Sequence, residues 1–198
     1  MSPSRARRGL TIVWLVLAAL VATIAVLEYR ERRPVATEDD PRVLLAAPLD
    51  QLGAIEIADR GRLHRFERAA SGAWFYHGTH AAGAAQHTHA ADPEMAERIA
   101  RAFAALERAR VERDFPLERD GSTYGVTTPD VLILVYRRGE SQPLAQYAVG
   151  HVAPDTTSRY VLRVGRPVVV TIPGYQIDNL LALVQAAGER EGAGAAAR

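Results

Sequence analysis

The chain has 198 residues and a formal net charge of +1, with 24 basic side chains, all arginine, against 23 acidic ones. That length holds an apolar anchor and one domain of ordinary size, and the near balance of charge excludes the basic excess with which proteins displace counterions from nucleic acid. No cysteine is present, which excludes disulfides, thiolate metal sites, iron–sulfur ligation and thiol nucleophiles.

Residues 1–9 form a short tail carrying Arg5, Arg7 and Arg8, and the run LTIVWLVLAALVATIAVL from Leu10 to Leu27 has no charge. At about 1.5 Å per residue a helix of that length nearly crosses a hydrocarbon core of about 30 Å. Trp14 near one end and Tyr29 beyond the other fall where amphipathic rings favour the membrane interface. A transmembrane signal anchor is therefore expected over 10–29. The rival is a cleaved signal peptide, but the run is long for one, and Glu28 to Arg33 follow it with no small-x-small cleavage site. Arginines tie across the membrane, three on each side. The short tail has little to translocate, so it is expected in the cytoplasm and the domain outside, which in a bacterium means the periplasmic side of the inner membrane.

Residues 30–42 read as a tether, with PVATEDDP polar and proline-bounded. The folded domain is expected over 43–187 as an α+β structure: an antiparallel-sheet domain built of two successive strand-rich units, each ending in a helix. In the first unit AIEIAD, RLHRFER and AWFYH are strands separated by turns at Asp59–Gly61 and Ser71–Gly72. Period two places Ile55 with Ile57, and Trp74 with Tyr76, on shared faces. Asp92 and Pro93 then open a helix as N-cap and first residue, with Met95, Ile99, Phe103 and Leu106 as its apolar stripe and Glu94–Arg98 and Glu97–Arg101 as i,i+4 pairs on the wet side.

The second unit reads VLILVYRR, LAQYAVG, SRYVLRV and VVVTI as four strands, with Tyr124 and Gly125 at the strand entry. Pro173 and Gly174 open a last helix whose stripe is Ile177, Leu180, Leu181 and Val184, with Gly188 placed to end it. Residues 188–198 have no large apolar side chain and are expected to be a disordered tail.

The order LDQLGAIEIAD, GAWFYH, DPEMAERIARAFAALERARV, YGVTTPDVLILVYRRG and SRYVLRVGRPVVVTIPGYQIDNLL resembles the bacterial domain of unknown function 4340 family over Leu49 to Val184. The resemblance implies a membrane-anchored extracytoplasmic protein without an established catalytic role. Some members are encoded beside gliding-motility-type ABC transporter components, which implies an accessory subunit. The chain departs from the family pattern between the third strand and the first helix.

That segment, the loop 77–91, carries His77, His80, His87 and His89. An HxxH and an HxH pair of imidazoles could close a shell around copper, zinc or nickel; the competing reading is a solvated loop whose histidines are incidental. His151, Asp155 and Ser158 are the residue types of a hydrolase triad, but they crowd into one short loop, where a turn set by Pro154 and Asp155 is the simpler reading. Arg62, Arg65, Arg68, Arg98, Arg101, Arg108 and Arg110 are interleaved with Glu67, Glu97, Glu107 and Glu112 and read as a mixed solvated face. The expected function is that of a noncatalytic accessory or scaffolding subunit of an envelope complex, with the lipid bilayer and another membrane protein complex, such as an ABC transporter-type assembly, as partners. The alternative is a transition-metal-binding module using His77 to His89. No enzyme activity and no certain cofactor are expected.

Overall fold

A computed structural model describes residues 42–79, 92–117 and 121–196; the expected tail, anchor and most of the tether lie outside them. Among the described residues no helix is long and apolar enough to cross a membrane.

Strands β1 (Leu52–Asp59), β2 (Arg62–Arg68) and β3 (Trp74–Thr79) precede helix α1 (Pro93–Glu107). A short strand β4 (Arg113–Pro116) leads to β5 (Val131–Arg137), β6 (Ala145–Val152), β7 (Ser158–Arg163), β8 (Val168–Pro173) and helix α2 (Gly174–Ala196). All eight strands join one sheet in the order β3-β2-β1-β5-β6-β7-β8-β4, and each pairing is antiparallel. The two units expected from the sequence are thus two halves of one α+β sheet, joined where β1 pairs with β5 from Asp59↔Val131 to Leu52↔Arg137.

The alternation of the strands decides which face the helices cover. Ile55, Ile57, Phe66, Trp74, Ile133, Val135, Tyr147, Val161 and Ile172 point to one side and share a core with Met95, Ile99, Phe103 and Leu106 of α1 and Ile177, Leu180, Leu183 and Val184 of α2. Phe103 meets Trp74 and Phe66 edge-on, at ring centroid distances of 4.9 and 5.5 Å, a geometry that aromatic quadrupoles favour. Helix α1 starts as its sequence dictates: Asp92 Oδ1 accepts from Met95 N at 2.9 Å, with Pro93 in the first turn. Its wet side carries Arg98–Glu94 at 3.5 Å and Arg101–Glu97 at 2.9 Å.

Three features differ from the expectation. β4 was not expected; it leaves the first unit and pairs with β8 at the far edge of the sheet. In α2 the expected stripe positions Ile177, Leu180 and Val184 are buried, but Leu183 joins them in place of Leu181, which is half-buried. And α2 runs through Gly188 to Ala196, so the expected tail is helical up to that residue. The physical reason is reach. From Gly174, beside β8, to Glu191 the helix rises about 26 Å at 1.5 Å per residue, close to the six strand spacings of about 4.8 Å that separate β8 from β3. There Tyr76 Oη donates to Glu191 Oε2 at 3.1 Å, and Arg190 binds Asp92 and Glu94 at the start of α1. The helix is a strap from one half of the sheet to the other edge, and polar contacts hold the segment that lacks large apolar side chains.

The chain enters the domain beside the end of α1: Val43 bridges Arg110, Leu44 N donates to Ala109 O at 3.3 Å, and Ala46 N donates to the buried Tyr147 hydroxyl at 2.8 Å. Leu44 to Ala47 are buried there.

Candidate functional site

The sheet face opposite the helices is closed in two different ways. Across β5 to β8 and β4, Tyr124, Val126, Ala148 and Val169 form a second apolar cluster with Phe115, Leu132, Tyr160 and Leu162. Tyr124 lies on a 3-10 turn, Gly121–Tyr124, so it is a lid residue and not a strand entry. Its ring meets Tyr160 and Phe115 at 5.0 and 6.0 Å. Gly150 permits the approach of this turn: a Cβ there would lie 2.0 Å from the Tyr124 carbonyl oxygen.

Across β1, β2, β3 and the end of β5 the same face is polar. Glu56 is 8% exposed, flanked in sequence by the two core isoleucines of β1 and therefore pointing away from them. It accepts from Tyr136 Oη of β5 at 2.5 Å and from Arg65 Nη1 of β2 at 2.6 Å. Arg65 Nε donates to Glu67 at 2.5 Å, and Glu67 Oε2 lies 3.3 Å from His77 Nδ1 of β3, an ion pair whenever that ring is protonated. The Arg65 guanidinium also covers the Tyr136 ring at 5.4 Å. A ladder of charge thus crosses four strands. Burial and the hydrogen bond to Glu56 push the Tyr136 hydroxyl up to about 12, so it stays a donor. Burial opposes the Arg65 charge, but its bonds to Glu67 and Glu56 outweigh that and raise its pKa. Arg65, expected on a solvated face, is instead the half-buried centre of this ladder. Arg68 donates to the carbonyls of Gly72 and Leu49, both at 2.8 Å, and covers Trp74.

A second polar cluster lies on the helix side. His64 is 5% exposed, with Nδ1 3.0 Å from Tyr76 Oη. Because the Tyr76 proton goes to Glu191, Nδ1 carries the hydrogen and donates to the phenol. Burial lowers the His64 pKa, partly opposed by Glu191 and Asp59 and reinforced by Arg62.

Of the four loop histidines only His77 is described, and it faces Glu67; His80, His87 and His89 lie outside the described residues. Among the described residues no group of three or more histidine and carboxylate side chains converges as a metal site would. His151, Asp155 and Ser158 do not assemble as a triad. Ser158 Oγ lies 2.8 Å from Glu112 and 2.9 Å from Asp155, and its single proton serves one of these carboxylates at a time. Asp155 also accepts from the backbone N–H groups of Thr157 and Ser158 at 3.0 and 2.8 Å and pairs with Arg113. The backbone donors to Asp155, with the Ser158 hydroxyl and the Arg113 charge, hold its carboxyl down at about 2. The arrangement is a turn lock that admits Thr156 at φ 63°, and His151 packs against Gly125, where a Cβ would lie 2.4 Å from its ring.

Glu56 and Tyr136 were missed in the sequence. The available signal was a glutamate between two core isoleucines; its partner lies 80 residues away.

A family model described as Domain of unknown function (DUF4340) matches residues 82–187. No curated protein and no solved structure matches the chain.

Proposed function

We propose, from the premise that the chain belongs to the DUF4340 family, that it is a noncatalytic accessory or scaffolding subunit held at a bacterial inner membrane, with its α+β domain in the periplasm. The uncharged run from Leu10 to Leu27 supports the anchor. The observation that carries the noncatalytic reading is the use of Ser158: its hydroxyl is bound between Glu112 and Asp155, with no hydrogen bond joining it to His151. The serine of a hydrolase triad is activated by an imidazole base, whereas this hydroxyl bonds carboxylates, and Asp155, held at about 2, is a weak base. Glu56 is likewise spent on Tyr136 and Arg65. A domain whose polar clusters hold strands and turns together supports presentation of a fixed surface to a neighbouring protein.

Membranes washed with alkaline carbonate should retain the full-length chain, and crosslinking in cells followed by mass spectrometry should return the same envelope proteins reproducibly. Recovery from the aqueous fraction of a chain lacking about its first thirty residues, or a monodisperse monomer with no crosslinked neighbour, would overturn the proposal.

A further inference from the structure

At one end of the polar ladder, where β1 and β2 meet the β5–β6 turn, lies a half-open cleft of about 330 Å³ whose charged lining is Arg65, Glu67, Arg68, Arg137, Arg138 and Glu140. That volume is at the lower end of small-ligand sites. We propose that this cleft binds a phosphate-type oxyanion, with Arg137 and Arg138 as its principal cations.

The inference rests on which of the cleft's charges are already committed. The lining holds four arginines against two glutamates. Arg65 is committed to Glu56 and Glu67, and Arg68 spends two of its donors on carbonyls. The side chains of Arg137 and Arg138 form no ion pair and no hydrogen bond among the described residues, and Glu140 on the same turn pairs with neither. Arg137 Nε is buried without a partner. A buried donor left unsatisfied destabilises the fold, so such a group calls for a reason. An oxyanion supplies one, because the guanidinium fork matches its geometry and charge.

Two uncommitted positive charges suit a dianionic phosphate ester better than a single carboxylate. The backbone makes room for it. β1 is irregular between Leu52 and Ala54, and a Cβ on Gly53 would lie 2.7 Å from Arg138 Cα, so only glycine lets β1 approach the arginine pair this closely. Ala54, Ala69, Ala70 and Gly139 keep the remaining walls short.

A phosphate of this kind comes from a soluble ester or from a lipid headgroup, and the test separates the two. Detergent-solubilised full-length protein is titrated calorimetrically with inorganic phosphate and, separately, with dioctanoyl phosphatidic acid, a phosphomonoester that can carry two negative charges, below its micelle concentration. Saturable binding of either probe, weakened at least tenfold in Arg137→Gln and in Arg138→Gln and unchanged in Arg98→Gln, is the expected result. Binding of the lipid alone assigns the headgroup as the source; binding of both assigns the phosphate group itself. Arg138 is exposed, so Arg138→Gln reports on the site even where Arg137→Gln disturbs folding. Saturation by neither probe, or equal affinity in Arg138→Gln and the unaltered protein, would overturn the proposal.

Discussion

The two halves of the sheet solve the same problem with opposite chemistry. β5 to β8 close their outer face with aromatic and aliphatic side chains under the turn at Tyr124, whereas β1 to β3 place Glu56, Arg65, Glu67 and His77 on that face and His64 on the other. Apolar burial is non-directional and indifferent to pH. A charged ladder holds register through specific bonds and responds to the removal of any one partner. The outer face of the first half is therefore where charge, salt and ligands can act on the sheet, and the apolar outer face of the second half is where it resists them.

The strongest way to break this comparison is at the apolar end. Gly150→Ala puts a methyl group 2.0 Å from the Tyr124 carbonyl, a backbone atom that cannot rotate aside. Overpacking costs about 1–3 kcal/mol and occasionally more, and with a backbone neighbour the loss should be about 3 kcal/mol or greater. Urea unfolding of the full-length protein, followed through the core fluorophore Trp74, measures it. A midpoint that hardly moves would mean the turn does not seal this face.

Next in size is the ladder. Arg65→Met removes the cation between Glu56 and Glu67 and leaves a nearly buried carboxylate with Tyr136 as its one remaining bond. Breaking a fully buried pair costs about 3–5 kcal/mol, and the 27% exposure of the Arg65 side chain reduces the expectation to about 2 kcal/mol. Adding Glu56→Gln should return part of the loss, because the stranded charge goes with it. A double variant that shows the plain sum of the two single losses would mean the residues are not coupled.

How much of this was legible in the sequence follows the same division. The core strands, the Asp92–Pro93 helix start and the stripe through Ile99 and Phe103 are local patterns of period two or 3.6, and they were read correctly. β4 was not, because RDFP offers one inward apolar residue and ends in a proline, which an edge strand tolerates and a pattern search reads as loop. The end of α2 was missed because Gly188 resembles a stop signal; what continues the helix is Glu191 on Tyr76 and Arg190 on Asp92, contacts of 115 and 98 residues in sequence separation. The ladder was hidden for the same reason. Arg65 and Glu67 look like ordinary wet-face charges until Glu56 and Tyr136 are brought beside them.

Tyr76→Phe tests the helix side of the first half. It deletes the hydroxyl that accepts from His64 and donates to Glu191, so about 1 kcal/mol should be lost, together with protection of the end of α2 from hydrogen exchange. Loss of stability with unchanged exchange at residues 186–191 would show that the strap is held by its other contacts.

The smallest effect is a slope, and it separates the halves most sharply. Burial, the dominant influence on His64, keeps its folded pKa below the ordinary value of 6.5, with Arg62 assisting and Glu191 and Asp59 opposing. Above pH 6.5 neither the folded nor the unfolded state carries the proton, and this residue leaves stability unchanged. As pH falls below 6.5 the unfolded chain protonates first, so stability declines until the folded pKa is reached and then levels. Asp155 follows the other rule: its folded pKa is about 2 against an ordinary 3.8, so its contribution is complete above 3.8 and disappears as pH falls from there towards 2. The two windows are ordered along the pH axis. His64→Gln should remove the slope just below pH 6.5 and leave the acid limb in place, while Asp155→Asn should do the reverse. An unaltered slope below pH 6.5 in His64→Gln would show that His64 is not the group whose titration produces it.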